Sequence, residues 1–195
     1  FMFGGMENIT LTHNTDRTMH DQFSVPDQSS VGLVAHELAH QWFGDMLTTR
    51  NWANIWLNEG FATFFSRKYR EEKFGHDEGE DIRYGEFQSY FGSNARWTRP
   101  TVQHHYYDPI DLFDGHVYAK GSLILSMLQD HLGDDAFKRS IQHYTKENIH
   151  KNVETPDLKK AIEEITGRNL DWFFRQWVYE AGFPAVSYTH LRAHE

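Results

Sequence analysis

Residues 36–40 read His36-Glu37-Leu38-Ala39-His40, and eighteen residues separate His40 from Glu59 in Trp56-Leu57-Asn58-Glu59-Gly60-Phe61-Ala62-Thr63. Side chains four apart on a helix lie one above the other, with Cβ atoms about 5 to 6 Å apart, so His36 and His40 can grip one ion. Catalytic zinc takes three protein ligands, His nitrogen at about 2.0 to 2.1 Å, and leaves a fourth position for water. Glu59 is the natural third ligand. Glu37 adjoins His36 but is rotated around the helix, facing the metal's water rather than the metal, as a general base must.

Thirteen histidines in 195 residues make an accidental HExxH more frequent than usual, so the surroundings have to support it. Ser29 and Ser30 offer an N-cap, and Val31, Val34, Ala35, Leu38, Trp42 and Met46 recur at helical spacing as an apolar stripe. Gly32 and Gly44 keep bulk away from the histidine face. Trp56, Leu57, Gly60, Phe61, Phe64 and Phe65 set Glu59 within a second buried helix. The pattern predicts a hydrolase that works through a metal-activated water, with one zinc ion (Zn2+) on His36, His40 and Glu59.

Three further stretches carry a family resemblance over about residues 3–184. Gly4-Gly5-Met6-Glu7-Asn8 resembles the GxMEN exopeptidase motif of the gluzincin aminopeptidases, the family of aminopeptidase N and leukotriene hydrolase (peptidase family M1). His36 to Asp45 with Asn58-Glu59-Gly60-Phe61-Ala62 reproduces that family's zinc motif in order and spacing. Val117-Tyr118-Ala119-Lys120-Gly121 resembles its tyrosine followed by x-Lys-Gly. The resemblance implies an α+β, helix-dominated fold: a thermolysin-like zincin catalytic domain with a remnant of the β lobe.

It also implies roles. Glu7 would hold the free α-ammonium of a peptide and so set the cut after the first residue. Gly4 and Gly5 would let the substrate backbone approach an edge strand closely, with Met6 and Asn8 of the same motif also counted as substrate-binding. Tyr118 would donate a hydrogen bond to the oxyanion of the tetrahedral intermediate, with Glu37 as base. Zinc-dependent removal of N-terminal residues from peptides with a free N-terminus is the activity expected. Epoxide hydrolysis, zinc endopeptidase activity and a non-catalytic scaffold are the alternatives.

Other polar stretches read as structure. His104, His105 and His116 are expected to be solvated loop histidines rather than ligands. The acidic run of Glu71, Glu72, Asp77, Glu78, Glu80 and Asp81, with Gly75 and Gly79 inside it, reads as a solvated loop. Trp42, Trp52, Trp56, Trp97, Trp172 and Trp177 are expected to fill core and line walls. A formal net charge of −9 without Lys and Arg clusters argues against nucleic acid or an anionic membrane surface as partner. No transmembrane run or signal peptide is visible. The absence of cysteine excludes disulfides without fixing a compartment.

Beyond the zinc half, punctuation predicts successive helices. One covers 118–132 and stops at Gly133; another is capped by Asp134 or Asp135 and runs to about Asn148. A third, capped by Thr155 with Pro156 in its first turn, ends at Gly167. The last starts at Asp171 and ends at Gly182, before Pro184. Strands are expected only near 1–12 and 48–54. Residues 1–185 are expected to form one catalytic domain truncated at both ends, without the family's N- and C-terminal domains. Residues 186–195 (VSYTHLRAHE) match, over all ten codons, the translation of a common transposase sequencing adapter, so they read as a non-native tail.

Overall fold

The structure, a computed structural model, describes residues 3–24, 27–92 and 98–183. Trp97, Pro184 and the tail 186–195 lie outside the described residues. Among these residues the chain folds into seven α-helices and four two-residue strands, in agreement with a helix-dominated α+β class.

The axis of the fold is α2 (Trp56–Phe74), whose Trp56, Phe61 and Phe64 are fully buried. Phe43 stacks on Phe61 at 4.4 Å and on Phe65 at 5.2 Å, and Tyr144 reaches Phe61 at 5.9 Å. Burying each such ring is worth about 1.5 to 3 kcal/mol, which makes this cluster a principal source of stability. Around α2 pack α1 (Val31–Ala39), α3 (His76–Gly92) and α4 (Ala119–Leu132), while α5 (Asp134–Glu147) and α6 (Thr155–Thr166) pair with each other. A short α7 (Asp171–Phe174) continues into a π-helical turn (Arg175–Tyr179), and Phe173, Phe174 and Val178 close the core. The base of α2 is pinned to α6 by Thr155: its hydroxyl accepts from Trp56 Nε1 at 2.9 Å and donates to Asn54 Oδ1 at 2.7 Å.

Strands β1 (Gly5–Met6) and β2 (His13–Asn14) pair antiparallel, Gly5 opposite Asn14. Strands β3 (Thr48–Thr49) and β4 (Asn152–Val153) pair in parallel. Among the described residues the strand expected near 1–12 is confined to Gly5–Met6, and Leu11 N donates to Asn8 O at 2.9 Å, closing a turn through Thr10 at φ 59°.

Several boundaries differ from expectation. The acidic run is helical: α2 extends to Phe74, Gly75 at φ 106° breaks it, and α3 starts at His76. The acids support these helices, Asp77 and Glu78 in the first turn of α3 and Glu71 paired with Lys68 at 2.7 Å, a placement the helix dipole and i,i+3 spacing favour. Helix α1 stops at Ala39, so Trp42 and Met46 lie past its end. Its stripe is not core: Val34, Leu38 and Trp42 are exposed. Trp52 and Trp172 are exposed as well, and only Trp56 is a fully buried tryptophan among the described residues. The N-cap of α6 is Glu154 in a capping box with Asp157, and that of α5 is Gly133 at φ 82°; an extended glutamate and a glycine hold the turns that the expected caps would have held. The last helix ends at Tyr179, before Gly182.

Candidate metal centre and active site

The last turn of α1 meets the first turn of α2. His36 Nε2 lies 3.1 Å from Glu59 Oε2, His40 Nε2 lies 3.1 Å from His36 Nε2, and His40 Nε2 lies 3.3 Å from Glu59 Oε2. Tetrahedral donors about 2.0 to 2.1 Å from one centre are about 3.3 to 3.4 Å apart, so this triangle fits zinc. His40 Nδ1 donates to the Phe43 carbonyl at 2.9 Å, which turns its Nε2 toward the cluster. That carbonyl is followed by Gly44, whose φ of 147° would strain any side chain and where a Cβ would press on His40 Nδ1 at 3.2 Å.

Burial alone would lower the His40 pKa, but the hydrogen bond and charge of Glu59 hold it at about 9. Burial would likewise raise Glu59, yet hydrogen bonds from His36 and His40, with their charges, keep it at about 2. Glu59 thus stays ionised beside two imidazoles, a donor set of the kind that holds zinc.

Glu37 is 5 % exposed, and burial raises its pKa. Its carboxylate packs against β1, where a Cβ on Gly5 would collide with it. Donor atoms of Glu7, Glu37 and His40 lie within 4.8 Å of one another. The main chain of Glu7 is held by Gln41, whose Nε2 donates to the Glu7 carbonyl at 3.1 Å and to Asp45 Oδ2 at 2.8 Å. Two carboxylates this close favour a cationic group between them.

Tyr118 is the N-cap of α4, its ring 6.1 Å from that of His36 and 6.4 Å from Phe113. Burial, then the charges of Glu59, Glu7 and Glu37, raise its pKa, so the phenol stays protonated and is a donor. Glu59 and Tyr118 come together because α2 and α4 touch at two glycines: a Cβ on Gly121 would meet Gly60 Cα at 2.8 Å. Lys120 of the same motif faces the opposite way, buried with Nζ 5.4 Å from the Tyr90 ring centre, and burial lowers its pKa to about 8.

These groups line one cleft of about 1030 Å³, with Gly4, Gly5, Met6 and Glu7 on one side and Trp52, Ile110 and Phe113 on another. Asn8 is not part of the lining: it is exposed, with Nδ2 2.8 Å from His13 Nδ1 across the β1–β2 hairpin. Of the loop histidines, His104 and His105 are exposed but His116 is 1 % exposed. The solvated reading fails for His116 because Asp114 takes its ring nitrogen at 3.0 Å. Ile110, Phe113, Arg99 and Asp114 belong to no motif and escape sequence reasoning; the one available signal is the position of Asp114, four residues before Tyr118.

Comparison with known proteins gives a consistent picture. The model of the peptidase family M1 domain matches residues 1–177. Probable aminopeptidase 1 of Sulfurisphaera tokodaii is 33 % identical over 194 residues, covering 96 % of this chain and 25 % of that protein. The structure of yeast LTA4 hydrolase in complex with bestatin superposes with a TM-score of 0.82 at 26 % identity, over 96 % of this chain and 31 % of the other. A crystal structure of an M1 zinc metallopeptidase E323A mutant from Deinococcus radiodurans does so with a TM-score of 0.77 at 25 % identity, over 95 % and 39 %. The chain thus spans about a quarter of the length of the curated relative.

Proposed function

The chain belongs to peptidase family M1, and from that membership we propose that it carries the catalytic centre of a zinc-dependent aminopeptidase acting on peptides with a free N-terminus. The observation that carries the reading is the convergence, on one cleft, of a closed His36, His40 and Glu59 triangle with Glu37, Glu7 and Tyr118. One zinc ion held by His36, His40 and Glu59 would supply Lewis acidity at the scissile carbonyl and lower the pKa of water toward about 7.

Glu7 binds the substrate α-ammonium, and the neighbouring charge of Glu37 adds to the attraction. The backbone of Gly4 and Gly5 runs along the peptide. Glu37 takes a proton from the attacking water and returns it to the departing amine; its raised pKa suits both halves of that exchange. Tyr118 donates to the oxyanion, and a phenol kept neutral by burial and by the charges of Glu59, Glu7 and Glu37 has a proton to give.

The test is zinc by elemental analysis together with turnover of an alanyl or leucyl anilide by the full-length protein. About one zinc per chain with turnover supports the reading; a metal-free active protein, or a zinc protein that cleaves only internal bonds of a blocked peptide, overturns it. Glu7→Ala should erase the preference for free over acetylated N-termini, and an unchanged preference would remove Glu7 from its role.

A further inference from the structure

A phenol that must present its O–H to a substrate depends for its aim on the backbone that carries it, whatever its hydroxyl meets meanwhile; here that hydroxyl is hydrogen-bonded with Glu59. In this chain that backbone is a compact turn rather than regular helix. Asp114 O accepts from Val117 N at 3.2 Å and from Tyr118 N at 3.4 Å, and Gly115 O accepts from Lys120 N at 2.8 Å. Tyr118 itself sits at φ −85° and ψ −80°, outside the helical basin, with no side-chain cap to steady it.

The Asp114 side chain organises this turn. Its Oδ1 accepts from His116 N at 2.8 Å, and the His116 ring nitrogen Nδ1 lies 3.1 and 3.0 Å from its two oxygens. Arg99 grips the same carboxylate with Nη2 at 2.6 Å and Nε at 3.3 Å. The guanidinium also donates to the Leu112 carbonyl at 3.0 Å, the Pro100 carbonyl at 3.0 Å and the Thr101 carbonyl at 3.4 Å. Arg99 and His116 are both buried. Burial would raise the Asp114 pKa, but hydrogen bonds from His116 and the charges of His116 and Arg99 hold it below the ordinary carboxylate range. A buried bidentate arginine is costly to place unless its geometry fixes something, and the segment it fixes here ends at Tyr118.

We propose that Arg99, Asp114 and His116 form a positioning unit that aims the Tyr118 hydroxyl at the reacting carbonyl. The inference rests on the oxyanion role proposed for Tyr118. None of the three touches substrate; they act through the turn at 114–118.

A double-mutant cycle on the zinc-loaded full-length protein separates this from a merely structural role. Tyr118→Phe alone should lower kcat by about 100 to 1000 fold, the usual loss for one oxyanion donor. Asp114→Asn should lower kcat by about 10 to 100 fold through misplacement of the phenol, with KM and zinc content little changed. In the Asp114→Asn background, Tyr118→Phe should then cost at least about tenfold less than in the parent, because a misaimed phenol has little left to lose. An equal loss in both backgrounds overturns the positioning unit while leaving the aminopeptidase reading intact. Full turnover by Tyr118→Phe overturns the oxyanion role and the unit together. Should Asp114→Asn fail to fold, the same cycle built on His116→Gln decides the matter by the same criterion.

Discussion

His40 uses both ring nitrogens, Nδ1 on the Phe43 carbonyl and Nε2 on the cluster, and this has a consequence for metal binding. Its pKa, held at about 9 by Glu59 against burial, lies above the ordinary value. In the metal-free protein its pairing with Glu59 therefore stabilises fully between about pH 4.5 and 6.5, and is lost as pH rises through about 9 or falls through about 2. Zinc must displace that proton at neutral pH, so zinc affinity should climb with pH and binding should release about one proton. Calorimetry at pH 7 in two buffers of different ionisation enthalpy measures it; no proton release contradicts the assignment. At the neighbouring position, Glu37→Gln should keep zinc while lowering kcat by at least about 100 fold, since a general base contributes about 100 to 10,000 fold. Near-normal turnover would refute the base.

At the scale of elements, the decisive contact is the glycine pair where α2 crosses α4. Gly60 and Gly121 leave the backbones too close for either to carry a methyl group, and that closeness sets the separation of Glu59 from Tyr118. Gly121→Ala should destabilise by about 1 to 3 kcal/mol, the usual cost of overpacking, read as a lower denaturant midpoint with the slope unchanged. It should also reduce kcat more than zinc affinity, because α4 moves Tyr118 but carries no metal ligand. A second inter-element lock is Thr155 between Trp56 and Asn54. Thr155→Val should cost about 1 to 3 kcal/mol, because buried Trp56 Nε1 loses its acceptor while Asn54 Oδ1 keeps the Thr155 backbone N–H at 3.0 Å, with zinc binding retained; an unchanged melting temperature would show the lock to be idle.

Over the whole molecule, the cleft and the outer face of α1 contrast. One side of α1 faces the cleft with His36; the other leaves Val34 and Leu38 exposed, with Trp42 just past its end and Tyr69 of α2 beside them. Apolar patches of this kind on soluble proteins are uncommon unless something covers them. The 195-residue chain alone should therefore self-associate, and Leu38→Gln with Trp42→Gln should reduce that association without altering zinc content, as light scattering and elemental analysis would report. Equal association by the variant would locate the sticky surface elsewhere.

Local pattern was enough for the elements that repeat or punctuate. The histidine pair at i and i+4, the aromatic helix around Glu59, the stop at Gly133 and the end of α6 at Gly167 are all dictated by neighbours within a few residues. The candidate site was legible for the same reason: the proposed ligands His36, His40 and Glu59, with Glu37, Glu7 and Tyr118, each lie in a short run with its own spacing. What the sequence left open depends on partners far along the chain. The closeness of α2 and α4, the burial of His116, the hold of Arg99 on Asp114 and the exposure of the α1 stripe are set by which surfaces meet in three dimensions. Helical period states that one face is apolar; only packing decides whether that face is covered, because burial belongs to pairs of surfaces and not to either sequence alone.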